Sequence, residues 1–327
     1  MHMRSFGKAG WEVSEVSFGA WAIGGTWGQV DDSQSLAAMH RALDLGVNFI
    51  DTADVYGDGR SERLIRRLRL ERKEPIYVAT KAGRRLQPHD AEGYTLANLQ
   101  AFVDRSRENL GMETLDLLQL HCPPTPVFYM PEVFHALEHL QEAGKLRHWG
   151  VSVEKIEEGL KAIEYPGCAS VQIIFNMFRQ RPAELFLRQA KARGVAVIVR
   201  LPLSSGMLTG KFGPDSQFAA DDHRAFNREG AAFDRGETFS GVPFEVGLQA
   251  VEELRRLLPP GMSLAQMALR WILDHPEVSC TIPGGKTPAH VEDNCAASDL
   301  PRLDPPTHDA VKSIYDRHIR SHVHDRW

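Results

Sequence analysis

GVNFIDTADVYG, residues 46–57, is the stretch of sequence that decides the fold. Its apolar run from Val47 to Ile50 is typical of a buried β-strand. Two polar side chains, Asp51 and Tyr56, follow that run. In a parallel barrel the carboxyl ends of the strands meet on one face, and side chains that come just after a strand lie there. We therefore expect a carboxylate and a phenol on that face.

Two later stretches repeat this pattern. YVATKAG, residues 77–83, places Lys81 at the end of a short apolar run. LDLLQLHC, residues 115–122, places His121 at the end of another. An amine and an imidazole thus join the carboxylate and the phenol at the ends of consecutive strands. Together they predict a proton-donating phenol assisted by an ion pair.

Predicted strands and helices alternate along the chain, after a β-hairpin with strands Arg4–Phe6 and Trp11–Val13. The later strands are predicted at Val16–Gly19, Phe49–Ile50, Ile76–Thr80, Leu115–His121, His148–Ser152, Val171–Phe175, Val195–Val199 and Cys280–Ile282. Helices are predicted at Asp32–Leu43, Ser61–Leu70, Thr95–Leu110, Pro131–Ala143, Ile156–Ile163, Pro182–Arg193, Ser263–Leu273, Val291–Ala297 and His308–Arg320. Eight strand-then-helix units favour the α/β class and a closed (β/α)₈ TIM barrel, formed as a single domain over residues 1–327.

Three glycines raise an alternative fold. Gly24, Gly25 and Gly28 follow the first parallel strand, and Asp51 ends the second, which loosely mimics a dinucleotide-binding Rossmann fold. However, the stretch IGGTWG lacks the G-x-G-x-x-G spacing of that fold. We therefore favour the barrel.

One long region, Lys211 to Gly247, interrupts the alternation after the seventh strand. It is rich in Gly, Asp, Arg, Phe and Pro and has no clear period. Loops of this length inside a compact domain are usually functional or disordered. Two interpretations stay open: a lid or cofactor clamp on the active face, or a mobile surface excursion.

The composition argues against several classes of protein. A net charge of -5 gives no overall attraction to nucleic acid or to an anionic membrane. No apolar stretch approaches the roughly 20 residues of a transmembrane helix, and the start of the chain has no apolar signal-peptide core. Four scattered cysteines without a C-x-x-C pair predict free thiols in a reducing cytoplasm.

The end of the chain contains three histidines and a tryptophan. His318 and His322 share a predicted helix face, and His324 follows, but no Cys or acidic cluster of firm spacing accompanies them. We therefore expect no metal. The tail either folds over the substrate entrance with Trp327 as an apolar contact or is disordered.

The order of the motifs resembles the aldo-keto reductase family over nearly the whole chain. The matching stretches are FGAWAIGGTWG, GVNFIDTADVYGDGRSERLIRRLR, VATKAG, LDLLQLHCP, ALEHLQEAGKLRHWGVS, LPLSSGMLTGK and IPGGKTPAHVEDN. The resemblance implies a barrel that binds NADPH in extended form and reduces a small-molecule carbonyl compound. It also implies that the catalytic residues are Asp51, Tyr56, Lys81 and His121.

The chemistry of carbonyl reduction supports these implied roles. A hydride that arrives at the carbonyl carbon leaves charge on oxygen, which then needs a proton. A free phenol is a poor acid at neutral pH, and a neighbouring ammonium favours the phenolate. We therefore expect Lys81 to lower the pKa of Tyr56 and Asp51 to hold Lys81 in place. His121 would donate a hydrogen bond that orients the carbonyl.

The resemblance further implies the cofactor contacts. In chain order they are Gly25, Thr26, Trp27, Asp51, Ser152, Gln172, Arg200, Leu203, Ser205, Gly206, Lys211, Gly284, Lys286, His290, Asp293 and Asn294. Ser152 and Gln172 would bind the nicotinamide carboxamide, and the segment around Ser205 would wrap the pyrophosphate. Lys286 offers positive charge to a 2′-phosphate, which favours NADP over NAD.

Three positions depart from the pattern of many family members. Val153 stands where an asparagine is common, and His290 stands where an arginine is expected. Arg200 takes the position of an aromatic residue beneath the nicotinamide. Its planar guanidinium can stack on the ring, and we expect its positive charge to disfavour the oxidised cofactor.

The substrate is left open. Trp21, Trp27, Phe128 and Tyr129, beside Tyr56 and His121, predict an apolar or aromatic-tolerant pocket, or a platform for a sugar. We interpret the chain as an NADPH-dependent reductase of aldehydes or ketones. The alternatives are a sugar or alcohol dehydrogenase that works in the oxidative direction, and a non-catalytic nucleotide-sensing regulatory subunit. The sequence does not indicate an oligomeric state.

Overall fold

Eight parallel strands form the centre of the fold in the computed structural model, which describes residues 1–24 and 31–327. The strands are β3 (Phe18–Gly19), β4 (Phe49–Asp51), β5 (Tyr77–Ala82), β6 (Leu115–His121), β7 (Leu146–Ser152), β8 (Cys168–Ile174), β9 (Ala196–Arg200) and β10 (Cys280–Thr281). Neighbours in the sheet follow chain order from β3 to β10. An antiparallel hairpin of β1 (Met3–Ser5) and β2 (Glu12–Ser14) precedes them.

Backbone hydrogen bonds between the first and last parallel segments close the sheet. Thr281 N donates to Glu15 O at 2.9 Å, and Ser17 N donates to Thr281 O at 2.8 Å. A Cβ at Gly19 would lie 2.5 Å from the carbonyl oxygen of Ile282, so this close approach requires glycine. The predicted TIM barrel with its N-terminal hairpin is thereby confirmed.

Helices cover the outside of the barrel, and their apolar faces pack on the strands. They are α1 (Asp32–Asp44), α2 (Arg60–Glu71), α3 (Leu96–Leu110), α4 (Pro131–Glu142), α5 (Ile156–Ala162), α6 (Phe186–Ala192), α7 (His223–Phe226), α8 (Phe244–Arg255), α9 (Leu264–Leu273), α10 (Pro288–Ala296), α11 (Pro305–Ile314) and α12 (Arg320–Val323). Within residues 1–24 and 31–327, no helix combines the length and the apolar character needed to cross a membrane.

The long region after β9 is shorter than predicted, because α8 was missed. Pro243 and Gly247 suggest a loop in the sequence, but Pro243 is the N-cap of α8 and Gly247 lies inside it. A Cβ at Gly247 would lie 3.0 Å from Cε of Met207, so tertiary packing accounts for a glycine within the helix. We call residues 211–243 the excursion; it contains the short helix α7.

The hairpin plugs the amino-terminal end of the barrel. Phe6 and Val13 are fully buried against the barrel residues Phe49 and Leu117. The ring centroids of Phe6 and Phe49 lie 5.3 Å apart, and Trp11 stacks on Phe6 at 5.5 Å. The hairpin thus supplies part of the barrel core.

Replacing Phe6 by alanine is expected to lower the free energy of unfolding by about 3–5 kcal/mol, because a fully buried aromatic ring leaves a cavity when it is removed. Denaturant titration followed by circular dichroism measures this change. Met3→Ala is the matched control, since Met3 is exposed on the same hairpin. If Phe6→Ala lowered the free energy of unfolding no more than the control does, the hairpin would not form part of the barrel core.

Candidate active site

A buried ion pair lies at the carboxyl end of the barrel. Lys81, in β5, places its Nζ 2.5 Å from Oδ2 of Asp51, the last residue of β4. The side chains are only 1% and 4% exposed. Lys81 Nζ also donates to the carbonyl oxygen of Thr52 at 2.8 Å. Because both charges are removed from water, the ammonium and the carboxylate have to remain together.

Two amides hold the carboxylate from its other side. Gln172 Nε2 donates to Asp51 Oδ1 at 2.7 Å, and Gln119 Nε2 donates to the same oxygen at 3.1 Å. Gln172 also lines the cavity described below. The residue expected to meet a nicotinamide carboxamide therefore also orients Asp51.

The phenol and the imidazole lie next to this ion pair. The rings of Tyr56 and His121 meet edge-on with centroids 5.9 Å apart, and Lys81 Nζ lies 5.2 Å from the centroid of the Tyr56 ring. The structure therefore brings together all four residues predicted to be catalytic.

The electrostatics of Tyr56 differ from the sequence-based expectation. Burial, and next the Asp51 carboxylate, raise the pKa of the Tyr56 phenol well above its ordinary value of 10.0, against the pull of Arg84 and Arg200. Burial also lowers the pKa of Lys81, although Asp51 opposes this. The expected lowering of the Tyr56 pKa was wrong, because desolvation outweighs the nearby positive charge. The phenol therefore keeps its proton at neutral pH.

His121 is a neutral imidazole at neutral pH. Burial, then the positive charges of Arg84 and Lys81, lower the pKa of His121 well below its ordinary value of 6.5. Its buried Nδ1 has no hydrogen-bond partner among the described residues. A neutral imidazole has one N–H to donate, so His121 can bind a carbonyl oxygen without itself being charged.

A cavity of about 410 Å³ begins at these groups and extends towards α10. It is lined by most of the predicted site residues, namely Trp21, Asp51, Tyr56, His121, Gln172, Arg200, Leu203, Ser205, Gly206, Lys211, Gly284, Lys286, His290, Asp293 and Asn294. Lys81 lies behind Asp51 and is not part of the lining. Gly25, Thr26 and Trp27 fall outside the described residues.

Besides Lys81, three predicted site residues do not line this cavity. Phe128 is completely buried in the apolar layer outside the barrel, so its side chain cannot reach a molecule in the cavity. Tyr129 is 63% exposed and its ring lies over Lys161. Ser152 is buried beside Cys122, with Oγ and Sγ 3.5 Å apart. The short segment after β6 turns the two aromatic residues away from the barrel mouth.

The far end of the cavity is rich in positive charge. Lys211, Lys286 and Arg224 line it together with His290. Burial, and next the charge of Arg224, lower the pKa of Lys286, and burial followed by Lys211 lowers that of His290. Arg224, which belongs to α7, was missed because the excursion has no sequence period. Basic side chains that repel one another in a cavity suit an anion such as phosphate.

The chain after β9 takes an unusual backbone course along the cavity wall. Leu201, Ser204 and Ser205 have positive φ angles of 51°, 48° and 53°, and Gly206 follows at 92°. Left-handed conformations are rare for residues other than glycine and occur often at ligand sites. The segment predicted to wrap a pyrophosphate therefore has an unusual conformation where it borders the cavity.

A second network of buried charges borders the cavity. Arg200 pairs with Glu154 at 2.9 Å and with Glu237 at 3.5 Å, and Arg84 also pairs with both carboxylates. Burial opposes ionisation of Glu237, but Arg84 and Arg200 lower its pKa to about 2. Burial raises the pKa of Glu154 to about 8, against the pull of Arg200. At neutral pH Glu237 is therefore ionised, whereas Glu154 is largely protonated, and Arg200 shares the charge of Glu237 with Arg84. The expected effect of Arg200 on an oxidised cofactor stays a prediction.

Sequence reasoning missed Arg84, Glu154 and Glu237. Arg84 and Glu154 come just after β5 and β7, where side chains reach the barrel mouth, so their positions offered a signal. Glu237 belongs to the excursion and offered none. Arg84 and Glu237 act on the Tyr56 phenol through charge, and Glu154 pairs with Arg200.

Cys122, Glu154 and Glu237 place potential metal-ligand atoms within 4.8 Å of one another. Both carboxylates are already paired with arginines. Burial raises the pKa of the Cys122 thiol to about 12, so no thiolate is available. We therefore interpret the group as part of the ion network rather than as a metal site.

Asp54, in the loop that carries Tyr56, has a buried carboxyl group. It is completely buried, and neither of its carboxylate oxygens has a hydrogen-bond partner among the described residues. Burial, and next the neighbouring Glu62, raise its pKa from 3.8 to about 7. The carboxyl group is therefore largely protonated below neutral pH and becomes charged above it.

Known proteins resemble the chain over most of its length. A family model described as "Aldo/keto reductase family" matches residues 15–316. Aldo-keto reductase YhdN of Bacillus subtilis (strain 168) is 31% identical over 300 residues, which cover 89% of this chain and 87% of the relative. A probable voltage-gated potassium channel subunit beta of Arabidopsis thaliana is 28% identical over 332 residues, 96% of each chain. Among solved structures, glycerol dehydrogenase AKR11B4 from Gluconobacter oxydans aligns with a TM-score of 0.77 and 31% identity, covering 94% of this chain and 93% of that one.

Replacing Asp54 by asparagine is expected to stabilise the protein in a pH-dependent way. Because the folded state raises this pKa, the unfolded chain loses the proton first, and wild-type stability falls between about pH 4 and pH 7 by up to about 4 kcal/mol. The variant cannot ionise, so its advantage should be absent near pH 4 and full near pH 8. Denaturant titration at several pH values measures it.

Asp58→Asn is the control for this prediction, since Asp58 is exposed in the same loop and pairs with Arg85 and Arg105. The pKa of Asp58 is lowered by its hydrogen bond with Arg85, so its replacement should not stabilise the protein at pH 8. A difference in the free energy of unfolding between Asp54→Asn and wild type that does not change with pH would contradict the raised pKa of Asp54.

Proposed function

The chain belongs to the aldo/keto reductase family, and from this we propose that it is an NADPH-dependent oxidoreductase that reduces an aldehyde or ketone to an alcohol. Tyr56 is the general acid in this proposal. The observation that carries the proposal is a single cavity that has the catalytic groups at one end and basic side chains at the other. Tyr56 and His121 line one end, beside the buried Lys81–Asp51 pair, and a cluster of basic side chains lines the other.

The residues of the cavity fit a phosphorylated dinucleotide. Its volume of about 410 Å³ lies in the usual range for cofactor sites. Lys286, Lys211 and Arg224 supply positive charge for phosphates, and Asp293 and Asn294 supply polar groups for an adenine. Arg200 presents a planar group at the nicotinamide end. When bound, NADPH supplies the hydride.

The chain's own groups move and hold the proton. The raised pKa of Tyr56 keeps its phenol protonated, which suits a proton donor in the reductive direction. As charge develops on the carbonyl oxygen, Tyr56 donates its proton, and the ammonium of Lys81 stabilises the phenolate that remains. Neutral His121 donates an N–H to the same oxygen and fixes its position.

Oxidation of a sugar or other alcohol is the second candidate. The similarity to a glycerol dehydrogenase over 94% of the chain favours it, and the same groups serve the reverse direction when Tyr56 accepts the proton. The similarity to a potassium channel beta subunit supports a regulatory alternative. The assembled catalytic residues weigh against that alternative.

The four cysteines are free and buried, which is consistent with the proposed cytoplasmic location. A small carbonyl compound is the partner we propose. We propose neither nucleic acid nor a membrane as a partner, because a net charge of -5 gives no overall attraction to them.

Tyr56→Phe is expected to reduce kcat by at least about 100-fold while the affinity for NADPH stays the same, because only the proton donor is lost. Oxidation of NADPH against a panel of aldehydes, ketones and sugars gives kcat, and fluorescence titration gives the affinity. Tyr129→Phe is the matched control, since Tyr129 is exposed outside the cavity. Full activity of Tyr56→Phe would exclude this residue as the acid.

Lys286→Ala is expected to weaken NADPH binding by about tenfold and NADH binding by less than about twofold, because a single charge-assisted hydrogen bond to the 2′-phosphate is lost. Titration of both cofactors measures the ratio. Lys73→Ala, at an exposed lysine away from the cavity, controls for the change in net charge. Equal weakening of both cofactors would contradict recognition of the 2′-phosphate.

A further inference from the structure

Trp327 is inserted into the excursion. Its side chain is only 7% exposed. The indole Nε1 donates to Oδ1 of Asp234 at 2.9 Å, and the guanidinium carbon of Arg179 lies 4.4 Å from the ring centroid. Arg181 Nη1 donates to the carbonyl oxygen of Trp327 at 2.9 Å. Trp327 is therefore held at the edge of its indole, at the face of its indole and at its backbone oxygen.

Two glycines of the excursion make room for the indole. A Cβ at Gly241 would lie 2.6 Å from Cη2 of Trp327, and a Cβ at Gly236 would lie 2.9 Å from Cε2. Gly241 also has a φ angle of 78°, which disfavours other residues. The segment between these glycines thus matches the shape of the tryptophan ring.

The same segment carries Glu237 to the cavity. Asp234 caps the turn: its Oδ1 accepts from Gly236 N at 2.6 Å, and its carbonyl oxygen accepts from Glu237 N at 3.0 Å. Glu237 lines the cavity and pairs there with Arg84 and Arg200. A single carboxylate, that of Asp234, therefore connects the indole to the backbone next to Glu237.

The turn also reaches the aromatic wall of the cavity. Phe233, which precedes Asp234, meets Trp21 edge-on with ring centroids 6.0 Å apart, and Trp21 lines the cavity. From the cavity side, Ser205 Oγ donates to the carbonyl oxygen of Glu237 at 3.2 Å. The turn thus lies between Ser205 on its inner side and Trp327 on its outer side.

We propose that Trp327 is a positioning residue, which holds the turn 234–241 so that Glu237 stays paired with Arg84 and Arg200. The positioning of the turn does not depend on the proposed function. Its consequence, that the cofactor is retained in the cavity, rests on the proposed function. Without Glu237, Arg200 and Arg84 share the single carboxylate of Glu154, so the planar group at the nicotinamide end of the cavity loses one of its two carboxylate partners.

The first experiment follows the turn itself, without cofactor. In the protein of residues 1–327, Trp327→Ala is expected to speed amide hydrogen exchange in peptides covering 234–241 by at least about tenfold, because local opening no longer has to break the indole contacts. Trp327→Phe keeps a ring beside Arg179 and loses the bond to Asp234, so its effect should be smaller. Ile314→Ala, at a buried residue of α11, controls for general destabilisation.

The second experiment is a double-mutant cycle on the rate of NADPH release, followed by NADPH fluorescence. Trp327→Ala is expected to speed release by at least about fivefold in the wild-type background and by less than about twofold in the Glu237→Gln background, because the tryptophan acts through Glu237. An equal effect in both backgrounds would overturn the proposal. So would unchanged exchange over 234–241 in Trp327→Ala.

The two experiments separate failure of this proposal from failure of the proposed function. If the wild-type protein binds no NADPH, the proposed function fails. The exchange measurement, repeated with Glu237→Gln as a reference, then still decides whether Trp327 holds the turn.

Discussion

The buried ion pair between Lys81 and Asp51 is the interaction on which the rest of the site depends. Both side chains are almost completely buried, and the loss of hydration is tolerated only because each polar atom has partners. Gln119 and Gln172 bond the carboxylate, and the Thr52 carbonyl bonds the ammonium. The ion pair and these partners come from four strands or the loops next to them, so the closed barrel is what assembles them. Tyr56 and His121 are placed with respect to this pair.

The charges around the pair determine which groups hold protons. Burial keeps the phenol of Tyr56 protonated and the imidazole of His121 neutral. Both groups can then donate hydrogen bonds at neutral pH. The network of Arg84, Arg200, Glu154 and Glu237 beside them joins the excursion to the barrel. At the far end of the cavity, Lys211, Lys286 and Arg224 supply positive charge, and Asp222 pairs with Arg224.

The barrel and the four catalytic candidates could be predicted because both follow from the order of residues along short stretches of sequence. A strand needs a run of apolar residues, and a residue just after it must reach the barrel mouth, as with Asp51 and His121. The missed features depend on tertiary contacts. Helix α8 was missed because Gly247 packs against Met207, and Phe128 was placed at the substrate because a 3₁₀ turn that buries it leaves no pattern. Glu237 reaches the cavity only through contacts of the excursion, which has no period.

Single-turnover hydride transfer in Lys81→Met tests the central claim most directly. The account predicts that the variant binds NADPH with unchanged affinity but transfers hydride at least about 100-fold more slowly at neutral pH, because the phenolate of Tyr56 loses its stabilising charge. Retained binding would show that the barrel and the cofactor end are intact. A transfer rate within about threefold of wild type would contradict the account, since proton donation would then not depend on the buried ion pair.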